Sequence, residues 1–191
     1  MKEIIFSTHN SHKLEEVRQM LSGIMKVTGL NELGLTEDIP ENATTLEGNA
    51  RLKMNFLYDK FGKNCFADDT GLEVEALGGN PGVYSARYAG EPADSERNID
   101  LLLKNLENTT NRKARFRTVI ALKLNGEEYL FEGIVEGEIL RERQGEKGFG
   151  YDSVFRPEGL DRSFAEMSSE EKHQISHRGR AVRKLVEFLK K

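Results

Sequence analysis

The sequence predicts an α/β protein built on a mixed β-sheet, and three observations carry the prediction. Short apolar runs alternate with helix-periodic segments through the first 60 residues, the pattern of strand-helix units. Residues 114–124 then alternate as Phe116, Thr118, Ile120, Leu122 and Leu124, and Asn125-Gly126 follows, a strong hairpin signal that supplies antiparallel pairing. The chain closes on a helix with one apolar face. Its 191 residues allow one large domain or two small lobes, with a core that needs no staples.

In order, residues 3–7 read as a first strand. The polar loop Thr8-His9-Asn10-Ser11-His12-Lys13 follows, and Leu14, Val17 and Leu21 then recur at helical spacing, with Asn10 or Ser11 as N-cap. A strand, a polar loop and a helix start form an anion site, with free N–H groups, the helix dipole and here a lysine in the first turn. An ordinary strand-helix turn with a surface lysine fits the same residues. Residues 25–30 read as a second strand and 36–42 as an acidic, irregular stretch. Thr44-Thr45-Leu46-Glu47 reads as a capping box with Thr44 as cap, opening a helix that Gly62 ends. Leu46, Ala50, Leu57 and Phe61 form its inward stripe. Lys53 falls on that stripe and must snorkel out or meet a negative partner.

Cys65-Phe66-Ala67 reads as the end of a buried strand that delivers two adjacent carboxylates, Asp68 and Asp69, before Thr70-Gly71 turns the chain. Neighbouring carboxylates repel. A divalent cation would offset this, since Mg²⁺ prefers one or two carboxylates plus phosphate oxygens; a solvated turn would too. Residues 72–77 fit a strand or a helical turn, and Gly78 to Gly82 is a break. Asp94 starts a helix carrying Ile99, Leu102, Leu103 and Leu106. The return strand of the hairpin, about 127–140, has Gly133 and Gly137 on one face, the mark of a bulge or a close backbone approach. Gly145 to Asp152 is a glycine-rich loop in which Phe149, Tyr151 and Asp152 could stack on a flat ring and bond its edge, or simply pack on the core. Ser168 to Glu171 is a second capping box. In the last helix Ala181, Val182, Leu185, Phe188 and Leu189 share a face.

The totals exclude several classes. There are 28 Lys plus Arg against 32 Asp plus Glu, a formal charge of -4, which disfavours non-specific nucleic-acid binding but not a small anionic ligand. Cys65 is the one cysteine and cannot form an internal disulfide, so a reducing, cytoplasmic setting fits, with Cys65 as a small buried hydrophobe. No stretch reads as a signal peptide or a membrane span.

These motifs together resemble the inosine triphosphate pyrophosphatase (Ham1-like) family. The resemblance runs from Thr8 to Arg178, through Asn49 to Lys53, Ala67 to Leu72, Leu77 to Tyr88, Gly148 to Asp152, and Glu171-Lys172 with Ser176-His177-Arg178. Each is weak alone; their order and spacing are specific. The chain departs from the family where His9 replaces a small residue, where Glu41-Asn42-Ala43 lacks a glycine, and where Thr70 replaces a serine. The resemblance implies a single domain over 1–191: two lobes on a long mixed sheet, around a central nucleotide cleft, in a homodimer. It implies Mg²⁺-dependent hydrolysis of inosine, deoxyinosine and xanthosine triphosphates to monophosphate and pyrophosphate. Thr8, His9, Asn10, Ser11, His12, Lys13 and Thr70 would contact substrate, as would Phe149, Gly150, Tyr151, Asp152, Lys172, His177 and Arg178. Asp68, Asp69 and Lys53 would be catalytic, and Glu41 and Asp69 would hold Mg²⁺. No nucleic-acid or membrane partner is expected. A Maf-like pyrophosphatase acting on pyrimidine or modified nucleotides, or a nucleotide sensor without turnover, are the alternatives.

Overall fold

The computed structural model describes residues 2–191. Its strands are β1 (Glu3–Phe6), β2 (Lys26–Gly29), β3 (Cys65–Val74), β4 (Pro81–Gly82), β5 (Lys113–Leu124), β6 (Glu127–Ile139) and β7 (Phe155–Pro157). Its helices are α1 (Ser11–Met20), α2 (Leu46–Phe61), α3 (Ser95–Asn105), α4 (Ser169–Ile175) and α5 (His177–Leu189). The strands pair in the order β2-β1-β3-β5-β6-β7, with β4 on β3. β1 is parallel to β2 and β3, whereas β3–β4 and β6–β7 are antiparallel. The sheet is therefore mixed, as the hairpin and the early strand-helix alternation predict. Among the described residues no helix is long and apolar enough to cross a membrane.

The chain divides into two compact units. The first comprises residues 1–69, 118–133 and 180–191. Its core gathers Ile4, Phe6, Val17, Leu21, Val27, Phe66, Ile120, Leu122 and the α5 residues Ala181, Val182 and Leu185. Phe6 and Phe66 stack with centroids 4.5 Å apart. The second unit comprises residues 70–117 and 134–179. Its core joins Leu72 and Val74 to Ile99, Leu102 and Leu106 of α3, and to Phe116, Val135, Tyr151, Phe155 and Phe164.

The structure corrects two local expectations. Thr45, not Thr44, caps α2: its hydroxyl accepts from the Gly48 amide at 3.0 Å, the third helical N–H and the one a capping hydroxyl can reach. The chain also does not turn at Thr70-Gly71. β3 runs on to Val74, because Leu72 and Val74 are fully buried and the charges ahead of them are matched, as described below. The hairpin turn places Asn125 at φ 53° and Gly126 at φ 87°, the double positive φ of a type I′ turn. Gly137 does mark a close approach: a Cβ there would lie 2.3 Å from the Arg156 carbonyl oxygen of β7.

Candidate functional site

In the first unit the site is built from β1, α1, α2 and β3. Asn10 caps α1, its Oδ1 accepting from the His12 and Lys13 amides at 2.9 and 3.1 Å. Thr8 Oγ1 accepts from the Asn10 amide at 3.1 Å, which folds the loop back on itself. Ser11 and His12 lie exposed at the helix start. His9, in the place of a small residue, ties this loop to the next one. Its ring nitrogens lie 3.1 Å from Asn31 Oδ1 and 3.2 Å from the Glu37 carbonyl oxygen. That carbonyl can only accept, so Nε2 carries the proton.

The Asp68-Asp69 pair is not a turn but two consecutive strand residues, so the carboxylates leave opposite faces of the sheet. Phe66 and Asp68 share the face covered by α1 and α5: Phe66 packs with Val17 and Leu185, and Lys13 Nζ lies 3.3 Å from Asp68 Oδ2. Cys65 and Asp69 share the face covered by α2: the Cys65 thiol donates to the Met54 carbonyl at 3.4 Å, and Asp69 is hydrogen-bonded by Asn49. Lys53 does not snorkel. It is buried, and its Nζ donates to the Asp68 carbonyl at 2.6 Å and pairs with Glu41 Oε1 at 2.7 Å.

The electrostatics follow from these contacts. Burial pushes the Lys53 ammonium down, but Asp68, Glu41 and Asp69 outweigh it and hold the group above the ordinary lysine value. Burial pushes the Asp69 carboxyl up, to about 6; Lys53 and the Asn49 hydrogen bond oppose the rise, while Glu41 and Asp68 add to it. Burial, more than the neighbouring charges, is what sets Asp69 apart from an ordinary carboxylate. Ser7, on the Asp69 face by strand alternation, keeps a buried hydroxyl with no hydrogen-bond partner among the described residues. Among the described residues no group of three or more His, Cys, Asp or Glu is arranged to hold a metal ion. Glu41 and Asp69 both face the Lys53 ammonium, and two carboxylates are a donor chemistry that suits a cation drawing its other ligands from phosphate and water.

In the second unit a separate constellation forms on the loop before the 3₁₀ turn Asp152–Val154 and on α4 and α5. Lys172 Nζ donates to Asp152 Oδ2 at 2.6 Å, both groups buried, and the same oxygen accepts from the Phe149 amide at 2.9 Å. Gly148 permits this: its φ is +76°, and a Cβ would sit 2.2 Å from Asp152 Oδ2. The Phe149 ring is 40% exposed, with Lys172 Nζ 4.5 Å and the Arg178 guanidinium 5.8 Å from its centroid. An exposed flat ring flanked by two cations is a platform for an electron-rich heterocycle. Arg178 and His177 are buried at the start of α5, and the His177 ring stacks on Phe116 with centroids 4.6 Å apart. Gly150 is half-buried beside Phe149, and Thr70 is half-buried within β3.

Tyr151 does not belong to this platform. Its ring is a core residue, and its hydroxyl donates to the Ser85 carbonyl at 2.6 Å, with burial pushing the phenol pKa up. An aromatic beside glycines reads as a ring platform in sequence, but the 3₁₀ turn puts Phe149 outside and Tyr151 inside. Asn49, which in sequence is only the first residue of the segment Asn49 to Lys53, is a further buried polar group beside Asp69. It lies one helical turn before Lys53 on the buried face of α2, and a polar residue at that spacing was the available signal.

The Lys172–Asp152 pair sets a stability prediction. Breaking a buried pair strands a charge, so Lys172→Met should cost ~3–5 kcal/mol in urea unfolding at pH 7. Adding Asp152→Asn should recover part of that loss. No recovery would show that the two groups are not coupled.

A Ham1 family model matches residues 4–188. A dITP/XTP pyrophosphatase of Porphyromonas gingivalis is 55% identical over 190 residues, spanning 99% of this chain and 98% of that protein. A dITP/XTP pyrophosphatase of Flavobacterium psychrophilum is 50% identical over 188 residues, 98% of this chain and 99% of the relative. The solved Ham1 protein of Staphylococcus aureus superposes with a TM-score of 0.92 at 43% identity, covering 99% of this chain and 98% of that one.

Proposed function

This chain belongs to the Ham1 family, and from that membership we infer that it hydrolyses aberrant purine nucleoside triphosphates (inosine, deoxyinosine and xanthosine triphosphate) to the monophosphate and pyrophosphate. The observation that carries the chemistry is the cluster of buried Lys53, Asp68 and Asp69 with the partly exposed Glu41. Anhydride cleavage by water needs charge neutralised on the phosphates and a water oriented for attack. Lys13 and Lys53 supply the positive charge, and the capped start of α1 with Thr8 and Asn10 supplies N–H and hydroxyl donors to phosphate oxygens. Glu41 and Asp69 are the residues that would hold a divalent cation, for which we propose Mg²⁺; its chemistry when bound is charge neutralisation on the phosphate chain. Asp69 takes the proton of the attacking water. With its carboxyl at about 6 in the cation-free protein, Asp69 is ionised at neutral pH and free to accept that proton.

The second unit supplies base selection. Asp152 holds Lys172 and the Phe149 amide in place, so Phe149 offers its exposed face to the purine. Lys172 and Arg178 then offer donors to the 6-oxo group that hypoxanthine and xanthine carry. Adenine presents an amino group there, which cannot accept from a cation, and each such mismatch costs about 1–3 kcal/mol. We therefore expect Arg178→Ala to lower kcat/KM for inosine triphosphate about 10²-fold and to change the residual rate on adenosine triphosphate far less. Equal losses would assign Arg178 to the phosphates. We further propose that the chain works as a homodimer, a point that size-exclusion chromatography with light scattering decides.

The activity itself is tested by following pyrophosphate and orthophosphate release from inosine, xanthosine, guanosine and adenosine triphosphates, with Mg²⁺ and with chelator. Pyrophosphate alone, dependent on the cation and favouring the first two substrates, is the expected result. Orthophosphate release would move the cleavage to the terminal phosphate and overturn this mechanism. Binding without turnover would make the protein a sensor.

A further inference from the structure

We propose that Asn49 is the positioning residue that sets the separation of Glu41 and Asp69, and so the protein's affinity for a divalent cation. This rests on the reading that these two carboxylates hold the cation. Asn49 is 1% exposed, in the first turns of α2, and touches Asp69 and the backbone of the loop that carries Glu41. Its Oδ1 accepts from the Ala43 amide at 2.9 Å, two residues along the loop from Glu41. Because Ala43 N–H can only donate, the oxygen must face the loop, which leaves the NH₂ of Asn49 to donate to Asp69. One side chain thus bonds the loop that carries one carboxylate and the strand residue that is the other.

Two further observations show that the loop is docked on the helix. A Cβ at Gly48 would lie 2.7 Å from Ala43 Cβ, so the loop approaches as closely as glycine allows. One turn further on, Lys53 pairs with Glu41 itself at 2.7 Å. Asn49 and Lys53 are therefore two anchors for the same loop, of unlike kinds. Lys53 binds Glu41 through charge and must loosen its hold when a cation takes the carboxylate. Asn49 binds the backbone, a contact that a cation does not compete for. The loop then stays in place while its carboxylate changes partner. Supporting residues of this kind change metal affinity by about 10- to 100-fold when removed.

The test is Mn²⁺ binding to the nucleotide-free protein, read by electron paramagnetic resonance, in four proteins: wild type, Asn49→Ala, Glu41→Ala and the double variant. Asn49→Ala should weaken Mn²⁺ binding about tenfold, and the same change in the Glu41→Ala background should do so less than about twofold. Circular dichroism and thermal melts establish that each variant is folded. Should Asn49→Ala fail to fold, Asn49→Ser replaces it. A folded Asn49 variant that binds Mn²⁺ like wild type overturns the proposal while leaving the cation site intact. Equal losses in both backgrounds also overturn it, reducing Asn49 to a partner of Asp69 alone. If Glu41→Ala itself binds Mn²⁺ like wild type, the cation reading falls and takes the proposal with it.

Discussion

Asp69→Asn should abolish turnover and at the same time stabilise the protein. The activity loss follows from removing a cation ligand and the base for water, and we expect kcat to fall by at least about 10³-fold. The stability gain follows from linkage. The folded pKa of about 6 lies above the ordinary aspartate value of 3.8, so the fold disfavours the ionised form. The cost is absent below pH 4, grows between pH 4 and 6, and is full above that range. A shift of this size corresponds to ~3 kcal/mol. Asparagine keeps the shape and carries no charge, so without a divalent cation the variant should gain about 1–3 kcal/mol at pH 8 and almost nothing at pH 4. Urea unfolding in the presence of chelator at the two pH values measures this. A variant no more stable than wild type at pH 8 would mean that Lys53 already balances Asp69 in the fold.

Lys53→Met should also abolish turnover, but with the opposite sign on stability. Methionine fills much of the same volume, and the change leaves Glu41, Asp68 and Asp69 without their shared counter-charge, and the Asp68 carbonyl without its 2.6 Å donor. Breaking such a pair costs ~3–5 kcal/mol. The loss should be largest at pH 8, where Asp69 is ionised, and should shrink as pH falls towards 6 and Asp69 takes up a proton. We expect kcat/KM to drop about 10³-fold, the effect of removing one preorganised charge from a transition state. Combining Lys53→Met with Asp69→Asn should restore much of the stability and none of the activity. If the double variant is no more stable than Lys53→Met alone, the two groups do not share a field.

Much of this site is legible in the chain because its signals are local. A cap at Asn10 or Ser11 is marked by its place before a periodic segment, with the structure selecting Asn10, and Lys53 is marked as an anomaly by its place on an apolar stripe. Glycines that break the pattern mark the loop of Phe149 and Asp152. What sequence misses is direction. Whether Phe149 or Tyr151 faces out depends on the 3₁₀ turn that follows them, and no periodicity reports it. Whether Thr44 or Thr45 caps α2 depends on which hydroxyl reaches the Gly48 amide. The stop expected at Thr70-Gly71 fails because residues distant in sequence, Lys13 and Lys53, neutralise the pair on either side of the strand. Asn49 is hidden for the same reason, since its two partners lie 6 and 20 positions away in the chain.

The opposite facing of Asp68 and Asp69 makes the pleat of β3 a sorting device. One dipeptide serves two helices, and the only thing that decides which carboxylate goes to which helix is parity along the strand. Substitutions between Cys65 and Ala67 change volume and leave parity alone. A single inserted or deleted residue there, with Cys65 held in register on β1, would exchange the destinations, handing the strong base to Lys13 and the phosphate-side partner to Lys53. Core packing limits the segment's volume and parity limits its length, so an insertion of two residues there should be less damaging than an insertion of one.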